Sequence, residues 1–146
     1  MRKIINQWDS DALDYIVAEF AKIAKYLWDK GWAEKNAGNI SVNISRIIDP
    51  ATTLFKRSSY FSLPSIYPHL AGQILLLTSS GAKMRDFSPD NLEHLCFVKL
   101  NETGDQCIVW PPECRKPTSE LPTHLAVHDM LIRTGSASKA LLHSHV

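Results

Sequence analysis

The chain of 146 residues is 45% hydrophobic and 21% charged, the balance of a globular protein able to build one core rather than a disordered segment. Lys+Arg number 16 against 15 Asp+Glu, a formal net charge of +1 with no basic block, so neither nucleic acid nor an anionic membrane is expected as a partner. No apolar run approaches the ~18 residues of a membrane span, and the opening Met-Arg-Lys-Ile-Ile-Asn-Gln-Trp lacks the apolar centre of a secretory leader. Cys96, Cys107 and Cys114 are odd in number with no Cys-x-x-Cys spacing, and are read as reduced thiols of a cytoplasmic protein.

Over residues 9–30, Leu13, Ile16, Val17, Phe20, Ala24, Leu27 and Trp28 recur at steps of three and four, with Asp14, Glu19, Lys22, Lys25 and Asp29 between them. This predicts an amphipathic helix capped by Asp9 or Ser10 and stopped at Gly31, with Trp8 and Trp28 as packing residues. The polar turn Asn36-Ala37-Gly38-Asn39 follows, with backbone donors open to an anion. It leads into Asn39–Ser45, where Val42 and Ile44 alternate with Ser41 and Asn43 as in a half-buried strand. Asp49-Pro50 breaks the chain, Arg57 to Tyr60 is a candidate short strand, and Leu63 to Leu70, with its prolines, reads as an irregular connection.

Gln73–Thr78 is an apolar run of strand length that ends in Ser79-Ser80-Gly81-Ala82-Lys83. Leu95–Leu100 and Gln106–Trp110 read as a hairpin turning at Gly104-Asp105, followed by a proline-rich loop to Pro117. Leu121, Leu125, Val127, Met130 and Leu131 mark a second helix, with Thr118 or Ser119 as cap and Pro122 in its first turn. After Gly135, Ala140-Leu141-Leu142 reads as a buried strand or its entrance. The turns between the central strands are too short for crossover helices. The fold class expected is α/β, with a central mixed, largely antiparallel sheet covered by helices. The patterned stretch runs to Val146, so residues 1–146 are expected to be part of a longer domain, the alternative being a small complete domain whose last strand stops there.

Three groups carry candidate chemistry. His143-Ser144-His145 places two imidazoles on one side of an extended backbone, either two of the four positions that zinc prefers or a solvent-facing or packing pair. A third ligand could come from His124 or His128, although these two read equally as a surface pair beside Asp129. The loop Thr78 to Lys83 offers hydroxyls, a glycine and an ammonium just past a strand, a setting suited to phosphate, but it is not a P-loop and Ser-Ser-Gly is also an ordinary turn. Glu120, at the first turn of the second helix, is either a routine helix-end carboxylate or a proton carrier beside a metal-bound carbonyl.

At these residues the sequence resembles the class II, zinc-dependent sugar-phosphate aldolase family. The matching stretches are Lys30-Gly-Trp-Ala-Glu-Lys-Asn-Ala-Gly-Asn-Ile-Ser, Thr78-Ser-Ser-Gly-Ala-Lys-Met-Arg, Ile108-Val-Trp, Pro117-Thr-Ser-Glu-Leu-Pro-Thr-His and Leu142-His-Ser-His, in the family's order. The resemblance implies that Asn36, Gly38, Asn39, Ser79, Ser80, Gly81, Thr118 and Ser119 line a site for dihydroxyacetone phosphate. It further implies that Glu120 is the catalytic carboxylate and that His143 and His145 are two zinc ligands. The third zinc histidine of the family lies beyond position 146, and His124 and His128 do not match it. Residues 1–146 then form the N-terminal part of a single aldolase-like domain, and the implied assembly is a homotetramer. The implied reaction is reversible retro-aldol cleavage of a ketose 1-phosphate, L-rhamnulose 1-phosphate, to dihydroxyacetone phosphate and L-lactaldehyde, with zinc stabilising the enediolate. A sister activity on fuculose or ribulose phosphates, or a non-catalytic binding module on the same fold, are the alternatives.

Overall fold

The computed structural model describes residues 10–48, 54–56, 58–90, 92–111 and 116–146. In chain order the elements are helix α1 (Ser10–Asp29), strands β1 (Asn39–Asn43), β2 (Phe61–Ser62), β3 (Ile74–Thr78), β4 (Leu95–Leu100) and β5 (Gln106–Trp110), helix α2 (Leu121–Arg133) and strand β6 (Ala140–His143). The strands form one six-stranded sheet in the order β2-β5-β4-β3-β1-β6. Every ladder in it is antiparallel, so the sheet is antiparallel throughout rather than mixed.

Strand parity divides the core in two. Ile40, Ile74, Leu76, Leu95, Phe97 and Ile108 join Leu13, Val17, Phe20, Ala24 and Leu27 of α1 in one apolar cluster. Their alternates Leu75, Leu77, Cys96, Val98, Leu100, Cys107 and Val109 join Leu121 and Leu125 of α2 in the other. Fully burying one such side chain stabilises by about 1.5–3 kcal/mol, so both helices are held chiefly by the face they bury. The α1 stripe is the one read from the sequence except at Trp28, which is exposed rather than packed, while the proposed caps, Asp9 and the Ser10 side chain, lie outside the described residues, as do Trp8, Asp49-Pro50 and Cys114.

Several expectations change. The short strand falls at Phe61–Ser62, where it pairs with β5, and not at Arg57 to Tyr60, of which Arg57 is outside the described residues. The 63–70 segment wraps over the β4–β5 turn, with Tyr67 N–H donating to Gly104 O at 2.8 Å. A side chain at Gly104, which has φ +79°, would meet Tyr67 O at 2.2 Å, so this turn requires glycine. Strand β6 is not buried. It occupies the edge of the described sheet beside β1, with Ala140 and Leu142 exposed. In α2 the buried stripe is Leu121, His124, Leu125 and His128, while Met130 is exposed, so histidines take half of the inward face.

Candidate active site

The site forms where β3 and β6 end and β1 begins. Past β3 the chain pairs with the segment entering α2. Ser80 N–H donates to Lys116 O at 2.7 Å, Thr118 N–H donates to Thr78 O at 3.0 Å, and Ser79 bridges Pro117. This clamps the Ser79–Ala82 loop beside Thr118, Ser119 and Glu120. On the other side, the antiparallel register sets Asn39 opposite His143. Gly38, at φ +88°, lets the 36–39 turn pass close to β6, since a Cβ there would lie 3.1 Å from His143 O.

The residues that the family resemblance implies for the site, Asn36, Gly38, Asn39, Ser79, Ser80, Gly81, Thr118, Ser119, Glu120, His143 and His145, line one cavity of about 220 Å³, whereas Thr78, Lys83, His124 and His128, which the sequence also offered, do not. The loop Ser79–Ala82 also borders a wider basin of about 590 Å³ with Glu93, His94 and Lys116. Lys83 lines neither; the lysine that borders the wider basin is Lys116.

Two details bear on chemistry. Ser79 Oγ is buried and has no hydrogen-bond partner among the described residues, which costs about 1–3 kcal/mol unless a bound group satisfies it. Glu120 occupies the N-cap position of α2, yet its side chain makes no capping bond. The local turn is closed instead by Thr118, whose hydroxyl accepts Glu120 N–H at 3.3 Å and whose carbonyl accepts Leu121 N–H at 3.0 Å. The Glu120 carboxylate is therefore not committed to the helix end.

His143 and His145 stand with ring centroids 4.9 Å apart. His145 N–H donates to Trp32 O at 2.9 Å, which ties the exit of β6 to the turn after α1. Two neighbouring imidazoles at the rim of a polar cavity fit two positions of a zinc shell. Among the described residues, no group of three or more His, Cys, Asp and Glu side chains forms a complete metal set.

His124 and His128 are not surface residues, and neither lines the cavity with His143 and His145. They are 1% and 2% exposed, and Asp129 instead accepts His69 N–H at 2.7 Å. Ser41, a residue that the sequence did not single out, joins the two rings, with Oγ 2.5 Å from His124 Nδ1 and 2.7 Å from His128 Nε2. The far nitrogen of His124 bonds Asn39 Oδ1, and Asn39 Nδ2 donates to His143 Nδ1 at 3.3 Å. Burial, followed by the fields of His128 and His143, pushes His124 down to about 4. Burial, followed by Lys139, does the same to His128. Both rings are thus neutral near pH 7. The only sequence feature that could have found this network is the spacing of the histidines, which with Leu121 and Leu125 completes a helix stripe.

Residues 18–146 match the family described as the Class II Aldolase and Adducin N-terminal domain. The chain is 35% identical over 135 residues to a rhamnulose-1-phosphate aldolase of Bacteroides thetaiotaomicron, covering 92% of this chain and 50% of that protein. It is 32% identical over 150 residues to a rhamnulose-1-phosphate aldolase of Klebsiella pneumoniae, covering 99% of this chain and 52% of that protein. The crystal structure of a sugar-phosphate aldolase from Thermotoga maritima superposes with a TM-score of 0.68 at 29% identity, over 92% of this chain and 54% of that one. The chain spans about half the length of the curated relatives it matches.

Proposed function

This chain belongs to the class II aldolase and adducin N-terminal domain family, and from that premise we propose that its protein is a zinc-dependent aldehyde-lyase. The reaction is the reversible cleavage of L-rhamnulose 1-phosphate to dihydroxyacetone phosphate and L-lactaldehyde. The observation that carries this reading is the meeting, around one cavity, of Ser79, whose buried hydroxyl has no partner among the described residues, of Glu120, whose side chain makes no capping bond, and of the His143–His145 pair. Residues 1–146 are read as the N-terminal part of one aldolase domain, working in a homotetramer. The buried thiols Cys96 and Cys107 accord with a cytoplasmic home.

In this reading the Ser79–Gly81 loop and the Asn36–Asn39 turn hold the phosphate, and Thr118 and Ser119 close its third side. Phosphate contacts remote from the reacting bond keep the carbon chain in register with the acid–base group. Glu120 takes a proton from, or returns it to, the carbon that becomes part of dihydroxyacetone phosphate. His143 and His145 would hold zinc, which when bound supplies Lewis-acid stabilisation of negative charge on the substrate oxygens. The direct test is release of dihydroxyacetone phosphate by the zinc-loaded full-length protein. L-Rhamnulose 1-phosphate should be cleaved faster than L-fuculose 1-phosphate, with no epimerisation of ribulose phosphate. Absence of cleavage of any ketose 1-phosphate would end the proposal, and a reversed preference would move it to a sister activity.

A further inference from the structure

The reaction proposed above uses neither His124 nor His128, yet both rings are buried and bonded to one serine. Ser41 has a single hydroxyl proton and two imidazole neighbours. It can donate to one of them, so the other must donate to its oxygen. This fixes a direction for the whole hydrogen-bond chain. In the orientation the structure shows, Asn39 turns Oδ1 to His124 Nε2 and Nδ2 to His143 Nδ1. His124 then donates from Nε2 and accepts the Ser41 hydroxyl at Nδ1, His128 donates from Nε2 to Ser41, and His143 accepts at Nδ1. With one proton on each ring, all three carry it on Nε2.

A half-turn of the Asn39 amide reverses every bond without moving a ring. His143 then donates from Nδ1 to Asn39, Asn39 donates to His124 Nε2, His124 donates from Nδ1 to Ser41, and Ser41 donates to His128 Nε2. All three rings are now protonated on Nδ1. Each still holds one proton, so the reversal takes up none. It does change what His143 offers. With Nδ1 facing Asn39, the nitrogen left for a metal is Nε2, and it has a free lone pair only in the reversed direction. A metal-bound imidazole characteristically donates its other N–H to a neighbouring acceptor, and here that acceptor is the Asn39 carbonyl.

We propose that Ser41, His124 and His128 are positioning residues that, through Asn39, couple the tautomer of His143 to the core, so that capture of a metal at His143 reverses the entire hydrogen-bond chain. The inference rests on the reading of His143 as a zinc ligand. It reaches beyond that reading by assigning a response to a ring that touches neither metal nor substrate.

The test is imidazole nitrogen–proton correlation spectroscopy of the full-length protein with labelled histidine, before and after stoichiometric zinc. In the wild-type protein His124 and His128 should change from Nε2–H to Nδ1–H as zinc is added. In Ser41→Ala, His143 should still load zinc while His128 no longer responds, an outcome that a merely structural role for Ser41 does not produce. If the loaded wild-type protein keeps His128 in its starting tautomer, the coupling is refuted while the zinc reading stands. A His143→Ala variant separates the two: unchanged zinc content there overturns the ligand assignment, and the coupling with it. The wild-type measurement decides the matter alone if Ser41→Ala does not fold.

Discussion

The two faces of β1 are built on opposite principles. Ile40, Val42 and Ile44 point to the α1 side and share its apolar cluster. Asn39, Ser41 and Asn43 alternate onto the α2 side, where Asn39 and Ser41 are both buried. Burial on the first face is non-directional, so a neighbour of similar volume can replace a side chain at small cost. On the second face each buried polar atom needs a partner at one distance and one angle, and the partners lie far away in sequence. The α1 face supplies stability, and the α2 face spends some of it to hold a site.

The largest effect should come from breaking the apolar face. Phe97 is fully buried in the α1 cluster, with its ring 5.6 Å from that of Trp110. Phe97→Ala is expected to lower unfolding free energy by about 3–5 kcal/mol in urea titration. A loss under about 1 kcal/mol would mean that this face does not set stability.

Next comes a change confined to the site. Glu120→Gln should reduce kcat of the full-length enzyme by about 10²–10⁴-fold, because it removes only proton transfer. Zinc content and melting temperature should stay at wild-type values, since the side chain makes no capping bond. Near-normal turnover would return Glu120 to a structural role.

A smaller effect separates function from stability at one atom. Ser79→Ala removes the unpaired buried hydroxyl, so the protein should be as stable as wild type or slightly more so. Affinity for dihydroxyacetone phosphate should fall by about 10–100-fold, the loss expected for one hydrogen bond to a charged group. A destabilised variant with intact affinity would show that the hydroxyl has a protein partner in the folded enzyme.

The smallest effect is a pH slope. His124 and His128 are held at about 4, below the ordinary 6.5, so between these values the unfolded chain binds more protons than the folded one. Their contribution to stability is therefore complete above pH 6.5, declines as pH falls toward 4, and changes no further below that. Thermal melts across this window should show the decline, and His128→Gln, which leaves one of the two rings, should reduce that part of the slope by about half. A profile identical in wild type and variant would mean that His128 titrates normally.

Much of this was legible in the sequence. Leu13, Val17, Phe20, Ala24 and Leu27 announce α1 because a helix shows one stripe to its core, and that period survives any tertiary detail. The hairpin at Gly104 and the apolar runs of β3 and β4 are local in the same sense. The residues that the resemblance nominated, Asn36 to Asn39, Ser79 to Gly81, Thr118 to Glu120, His143 and His145, lie in short motifs whose own turns present them, and they line one cavity. Sequence alternation also gave β1 its two faces, but not what covers them. Ser41 and Asn43 read as a solvent face, and His124 with His128 as a surface pair, because polar residues at regular spacing are outward-facing unless each has a partner. Those partners exist only once α2 lies across β1, bringing His124 to a serine 83 positions away. The edge position of β6 and the Asn39–His143 pairing across 104 positions are likewise matters of register. Local pattern determines which residues can be buried or reactive. Only packing between distant segments decides which polar groups find one another, because the hydrogen bonds that make their burial tolerable are contacts that no single stretch of chain contains.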